Sequence, residues 1–121
     1  MRATQSSTYG SSDFGAGAEK CIDGDTERPD EENGVAFMCH TEHDKKPWIA
    51  IDFGTNVIVQ RVEIFNRRGC CGGRTRNVDV RIADKLPISG NEMFSSGTLL
   101  GHFPGPATDG QQITISGQKI F

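Results

Sequence analysis

Apolar positions in this chain come in short alternating runs separated by glycine-rich stretches, a pattern that predicts strands rather than helices. Val78-Asp79-Val80-Arg81-Ile82 alternates cleanly, with Val78, Val80 and Ile82 turned inward and Asp79 and Arg81 outward. Val57 to Phe65 (VIVQRVEIF) gives the clearest strand signal: Ile58, Val62 and Ile64 share one face, and Arg61, Glu63 and Phe65 the other. Trp48 to Phe53 reads as a strand ended by Gly54-Thr55-Asn56, with Trp48 assigned to the core. Leu99-Leu100 and Ile113-Thr114-Ile115 read as short strands. Residues 6–26, the acidic segment Asp23–Asn33, residues 83–97 and Gly101–Pro106 read as loop. No amphipathic helix exceeds about two turns. Strand signals spaced by long loops predict an all-β chain, a β-sandwich, and 121 residues without a repeat or linker predict one domain over 1–121.

Charge and composition narrow the partners. A net charge of −3 gives no general attraction to nucleic acid. No apolar run approaches the roughly 18 residues that would span a bilayer, so no membrane insertion is expected. No secretory signal opens the chain. Four cysteines point toward an oxidising compartment, although four can equally be thiols or metal ligands. Asp23-Gly24-Asp25 invites a calcium reading, but as an EF-hand loop it fails: Arg28 stands where glycine is needed and Gly34 where the bidentate glutamate is needed.

The most unusual stretch is Asn66-Arg-Arg-Gly-Cys-Cys-Gly-Gly-Arg74. Neighbouring Cα atoms stand about 3.8 Å apart, whereas ordinary disulfides span about 4.4–6.8 Å. A Cys70–Cys71 bond would close a small, strained ring with a distorted peptide and an exposed face of two sulfur atoms. Gly69, Gly72 and Gly73 would allow the tight turn and a close ligand approach. Arg67 and Arg74 would flank the ring with guanidinium donors. That mixture suits a sugar, which has a C–H face and a hydroxyl edge. On the dipeptide alone, pairing of Cys70 and Cys71 with Cys21 and Cys39 is the favoured alternative.

The wider pattern resembles the F-type lectins, the fucose-binding lectin family. His40 is followed by 26 residues, Arg67, one residue, Gly69, four residues and Arg74; ATQSSTYG, CIDGD and HT followed by PW add to the likeness. The family carries aspartate where Gly69 stands, a departure that bears on affinity more than on specificity. The resemblance implies a galactose-binding-like (discoidin-type) jelly-roll β-sandwich and terminal α-L-fucose on glycans as ligand. It assigns His40, Arg67 and Arg74 to the sugar's hydroxyls and ring oxygen, and a Cys70–Cys71 ring to its C1–C2 edge. Phe37 and Phe14 lie in loops that seat the fucose methyl, each with core or loop packing as the rival role. His43 is the rival to His40; Arg68 and Arg76 are read as solvent-facing. The resemblance further implies a structural Ca2+ at Lys20, Asp23 and Asp25, with Asp23 the leading ligand. It completes that site, and the sheet, from a C-terminal Cys-Glu segment that this chain lacks. Cys21–Cys39 is then the expected second disulfide. A secreted protein that gains avidity as a homo-oligomer or in tandem domains follows.

Enzyme motifs are missing: there is no GxSxG, HExxH, CxxC or phosphate loop. The chain is therefore expected to be non-catalytic. Two other readings remain at this stage. A vicinal dithiol beside a cation could cycle redox states, and a discoidin-type module could dock on a protein or lipid surface.

Overall fold

The computed structural model describes residues 1–85 and 97–117. The loop expected over 83–97 and the chain end after Gly117 fall largely or wholly outside the described residues. The chain divides into two compact units, Met1–Thr55 and Asn56–Phe121.

The first unit contains strands β1 (Arg2–Gln5), β2 (Glu31–Glu32), β3 (Val35–Ala36) and β4 (Ile49–Asp52). β1 and β4 pair antiparallel, Arg2 opposite Asp52 and Gln5 opposite Ile49. β2 and β3 form a tight hairpin around Asn33-Gly34, both at positive φ (53° and 76°). Asn-Gly in that conformation is the preferred two-residue hairpin turn. It lies at the end of a segment expected to be loop because its acidic composition has no apolar period. Three alanines, Ala16, Ala18 and Ala36, are the buried apolar residues here. Small side chains let backbone approach backbone: the Ala36 N–H donates to the Phe14 carbonyl at 2.7 Å and the His40 N–H to the Ala16 carbonyl at 3.0 Å. Trp48 is half-buried rather than core, and Ile49 and Ile51 are exposed.

The second unit contains β5 (Arg61–Phe65), β6 (Val78–Ile82), β7 (Thr98–Phe103) and β8 (Gln112–Ser116). β5 pairs antiparallel with β8, setting Val62 opposite Ile115 and Ile64 opposite Ile113. β6 pairs antiparallel with β7, with a register shift at Val80/Arg81 that leaves Leu100 as an extra residue. Ile113, Ile115 and Ala107 are buried, and Ile64, Val80, Leu100 and Phe103 pack against them. This is the core that the alternation of β5, β6 and β8 called for. β7 runs on through Gly101-His102-Phe103, which had been expected to be loop. Gly101 is required there because a Cβ would stand 2.5 Å from Ile115 Cγ2. The strand expected from Val57 begins only at Arg61, and Ile58 is 91% exposed instead of facing inward with Val62 and Ile64.

Candidate functional site

Cys70 and Cys71 are bonded to each other, and Cys21 is bonded to Cys39. The alternative cross-pairing is thereby excluded. The Cys70 and Cys71 Cα atoms stand 3.7 Å apart, as across a trans peptide. The local adjustment falls on Cys71, at φ 66°. A non-glycine residue there carries a backbone cost of about 1–3 kcal/mol, which its surroundings must hold in place.

The surroundings do so. Cys71 leads into a 3-10 turn, Gly72–Arg74, in which the Arg74 N–H donates to the Cys71 carbonyl at 3.0 Å. Beneath it sits Asn66, a buried polar side chain. Its Nδ2 donates to the carbonyls of Gly72 (3.0 Å) and Thr108 (2.9 Å), and its Oδ1 accepts from the Thr75 hydroxyl (2.7 Å). The Gly72 N–H donates to Asp109 Oδ1 at 2.7 Å. Along this loop Arg67 and Cys71 are half-buried, and Cys70 and Arg74 are exposed. The Arg67 carbonyl accepts from the Gly110 N–H at 2.7 Å, tying the strand end to the 108–111 turn.

In the first unit His40 is half-buried, and its ring lies 4.6 Å from that of Tyr9. Its Nδ1 contacts the Thr41 carbonyl at 2.5 Å. A carbonyl only accepts, so Nδ1 carries the proton in this contact, and in the neutral ring Nε2 is the acceptor nitrogen. A neutral His40 therefore offers an acceptor, not a donor, at Nε2. Its own carbonyl accepts from the Tyr9 N–H (2.9 Å) and from Gln5 Nε2 (3.4 Å). Gln5 also donates to the Ala16 carbonyl at 3.0 Å. Ser6 and Ser7 both donate to Asp44 Oδ2, at 2.7 and 2.6 Å, and accept from the Trp48 and Glu42 N–H groups. The serine hydroxyls, Ser7 first, lower the Asp44 pKa below its ordinary value against a smaller opposing effect of burial.

Phe14 is half-buried with its ring edge-on to Tyr9 at 6.1 Å. Phe37 is half-buried under the Arg28 guanidinium, 4.6 Å from the ring centroid. Phe37 thus packs as a cation–π partner in this loop. Sequence reasoning missed Tyr9, Gln5, Asn66 and Asp109. The one local signal was a carboxamide, Asn66, at the end of an alternating strand.

Asp23 and Asp25 are exposed and belong to one loop: Asp23 Oδ1 accepts from the Asp25 N–H at 3.0 Å, and Asp25 Oδ2 pairs with Arg28 at 3.0 Å. Lys20 lies in the adjoining 3-10 turn, Ala18–Cys21. Carboxylate and carbonyl oxygens are the donor kind that calcium takes. The pairing of Asp25 with Arg28 makes Asp23 the foremost of them. Among the described residues, no three His, Cys, Asp or Glu side chains gather as a metal cluster. No described helix is long and apolar enough to cross a membrane.

Comparison with known proteins matches this architecture to a family. The sequence profile of the NedA-like, galactose-binding domain matches residues 20–118. The crystal structure of an F-lectin (fucolectin) from striped bass (Morone saxatilis) serum aligns with a TM-score of 0.78 at 26% identity, over 98% of this chain and 37% of that one. A pentraxin fusion protein of Xenopus laevis is 34% identical over 86 residues, 71% of this chain. The chain spans 19% of that relative's length, so both relatives are much longer. The described residues hold strands and short 3-10 turns, in keeping with the all-β jelly-roll of that structure. The chain belongs to the NedA-like galactose-binding domain family and is fucolectin-like in fold.

Proposed function

We propose that this domain is a non-catalytic lectin that binds terminal α-L-fucose on extracellular glycans. The observation that carries the reading is the Cys70–Cys71 disulfide, exposed at Cys70 and flanked in sequence by Arg67 and Arg74, in a chain that aligns with a fucolectin over nearly its whole length. The ring offers a polarisable, apolar surface to the C–H edge of a sugar. The arginines donate to hydroxyls and the ring oxygen, and His40, by its spacing from them in the sequence, supplies the third polar contact. Hydrogen bonds to charged groups contribute about 1.5–3 kcal/mol each. After the cost of association, one site of this kind reaches roughly micromolar to millimolar affinity.

A glycan array of the wild type beside Arg67→Ala and His40→Ala tests the reading. Fucosylated structures should dominate the wild-type profile, and Arg67→Ala should weaken them by about tenfold to a hundredfold. A profile without fucosylated hits, or one untouched by Arg67→Ala, overturns it.

Calcium belongs to the same reading as a structural ion. Asp23, then Asp25 and the Lys20 carbonyl, would hold it, and it would neutralise the acidic loop and fix its turns. The expected outcome is a higher Tm in millimolar calcium than in EGTA, lost in Asp23→Asn. Equal melting curves would remove calcium from the account.

A further inference from the structure

We propose that Asn66 and Asp109 are the positioning residues of the sugar-facing loop: they clamp Gly72 from both sides and so hold the Cys70–Cys71 ring and Arg74 in place. The affinity part of this inference rests on the reading of the loop as a sugar site; the positioning part does not.

Gly72 follows the ring directly, and both of its backbone polar groups are taken by side chains. Its N–H goes to Asp109 Oδ1, and its carbonyl accepts from Asn66 Nδ2. The contact leaves no room for a side chain, because a Cβ on Gly72 would meet the Asp109 nitrogen at 2.5 Å and its Oδ1 at 2.6 Å. Clamping Gly72 fixes the peptide that follows Cys71, the residue held at φ 66°. The next two backbone bonds run from this anchored segment: Arg74 N–H to the Cys71 carbonyl, and Thr75 N–H to the Gly72 carbonyl at 3.1 Å. Arg74 is therefore aimed by the same clamp.

Asn66 adds a second function. It is 7% exposed, and its three side-chain bonds reach two other segments, the ring loop at Gly72 and Thr75 and the following turn at Thr108. One carboxamide joins the end of β5, the ring loop and the 108–111 turn that carries Asp109. A donor and an acceptor on the same short side chain are both needed. Aspartate would lose the donors and leucine all three bonds. Buried polar groups left unpaired in this way are costly.

The test uses the whole chain in four forms: wild type, Asn66→Ala, Asp109→Ala and Asp109→Asn. Two quantities are read. One is the rate at which dithiothreitol opens each disulfide, by alkylation and mass spectrometry. The other is the Kd for L-fucose, by calorimetry. Asp109→Ala should speed opening of Cys70–Cys71 by about fivefold to tenfold, leave Cys21–Cys39 unchanged and raise the Kd by a similar factor. Asp109→Asn keeps an acceptor oxygen and should recover both. Asn66→Ala should do more than Asp109→Ala; if it does not fold, the Asp109 pair decides. Selective loosening in a wild type that does not bind fucose supports the clamp and overturns the sugar reading. Fucose binding with unchanged opening rates overturns the clamp. Equal loosening of both disulfides, with a lowered Tm, also overturns it, because that is general destabilisation.

Discussion

At the scale of single residues, short polar side chains do most of the shaping around the candidate site. Ser6 and Ser7 each donate to one oxygen of Asp44 and accept a backbone N–H, so one carboxylate organises the segment that follows His40. Because the folded-state pKa of Asp44 lies below its ordinary value, the contribution is complete above that ordinary value and is lost as pH falls through the folded one. The consequence is a loss of Tm in acid that sets in below about pH 4. Asp44→Asn should lower the Tm at neutral pH and flatten that acid limb. A variant with the wild-type acid dependence would show that the serine–carboxylate group is not its source. Much of this network is invisible in the sequence. Asn66 reaches Thr108 across 42 positions and Ser6 reaches Asp44 across 38, and no local pattern encodes either meeting. The Cys-Cys pair itself was legible only through its spacing from His40, Arg67 and Arg74. Steric reasoning on the dipeptide favoured the wrong pairing, because it judged the bond by ordinary disulfide spans.

At the scale of elements, alternation was a good guide wherever one face is buried. β8 repeats the pattern of its sequence because Ile113 and Ile115 have a core to enter; β6 follows it through Val80, but Arg81, expected outward, is half-buried just past the register shift. The same logic failed at Val57–Gln60, where β-branched residues give a strand signal with no buried face behind it. β1 was missed because Arg2-Ala3-Thr4-Gln5 has no strong apolar side, and its pairing with β4 comes from backbone bonds. The two isoleucines at the extremes make the point measurable. Ile113→Ala, at a position 6% exposed, should cost about 2–5 kcal/mol in chemical denaturation. Ile58→Ser, at one 91% exposed, should stay within about 0.5 kcal/mol of wild type. Comparable losses at both would mean that the Val57–Gln60 segment is packed after all.

At the scale of the whole molecule, the chain accounts for only part of the length of its relatives, 37% of the fucolectin and 19% of the pentraxin fusion protein. A single weak sugar site gains most from repetition. Two copies joined by a flexible linker should bind a fucosylated surface about 10²- to 10⁴-fold more tightly than one, with no change in the Kd for free fucose. Surface plasmon resonance on a fucosylated chip reads the first quantity and calorimetry the second. An improved Kd for the free sugar would point to new contacts rather than to avidity.

The two covalent links differ in how much chain they enclose. Cys21–Cys39 bridges a separation of 18 residues, a loop closure worth about 3 kcal/mol of restricted freedom in the unfolded chain. Cys70–Cys71 bridges a separation of one and restricts almost nothing beyond its own dipeptide. Among the described residues, the second unit therefore has no long-range covalent tether on its denatured ensemble and owes its persistence to non-covalent contacts: apolar burial, paired strands and the bonds of Asn66 and Asp109. The adjacent pair therefore adds little to thermal endurance; on the lectin reading, its contribution is the surface that it presents.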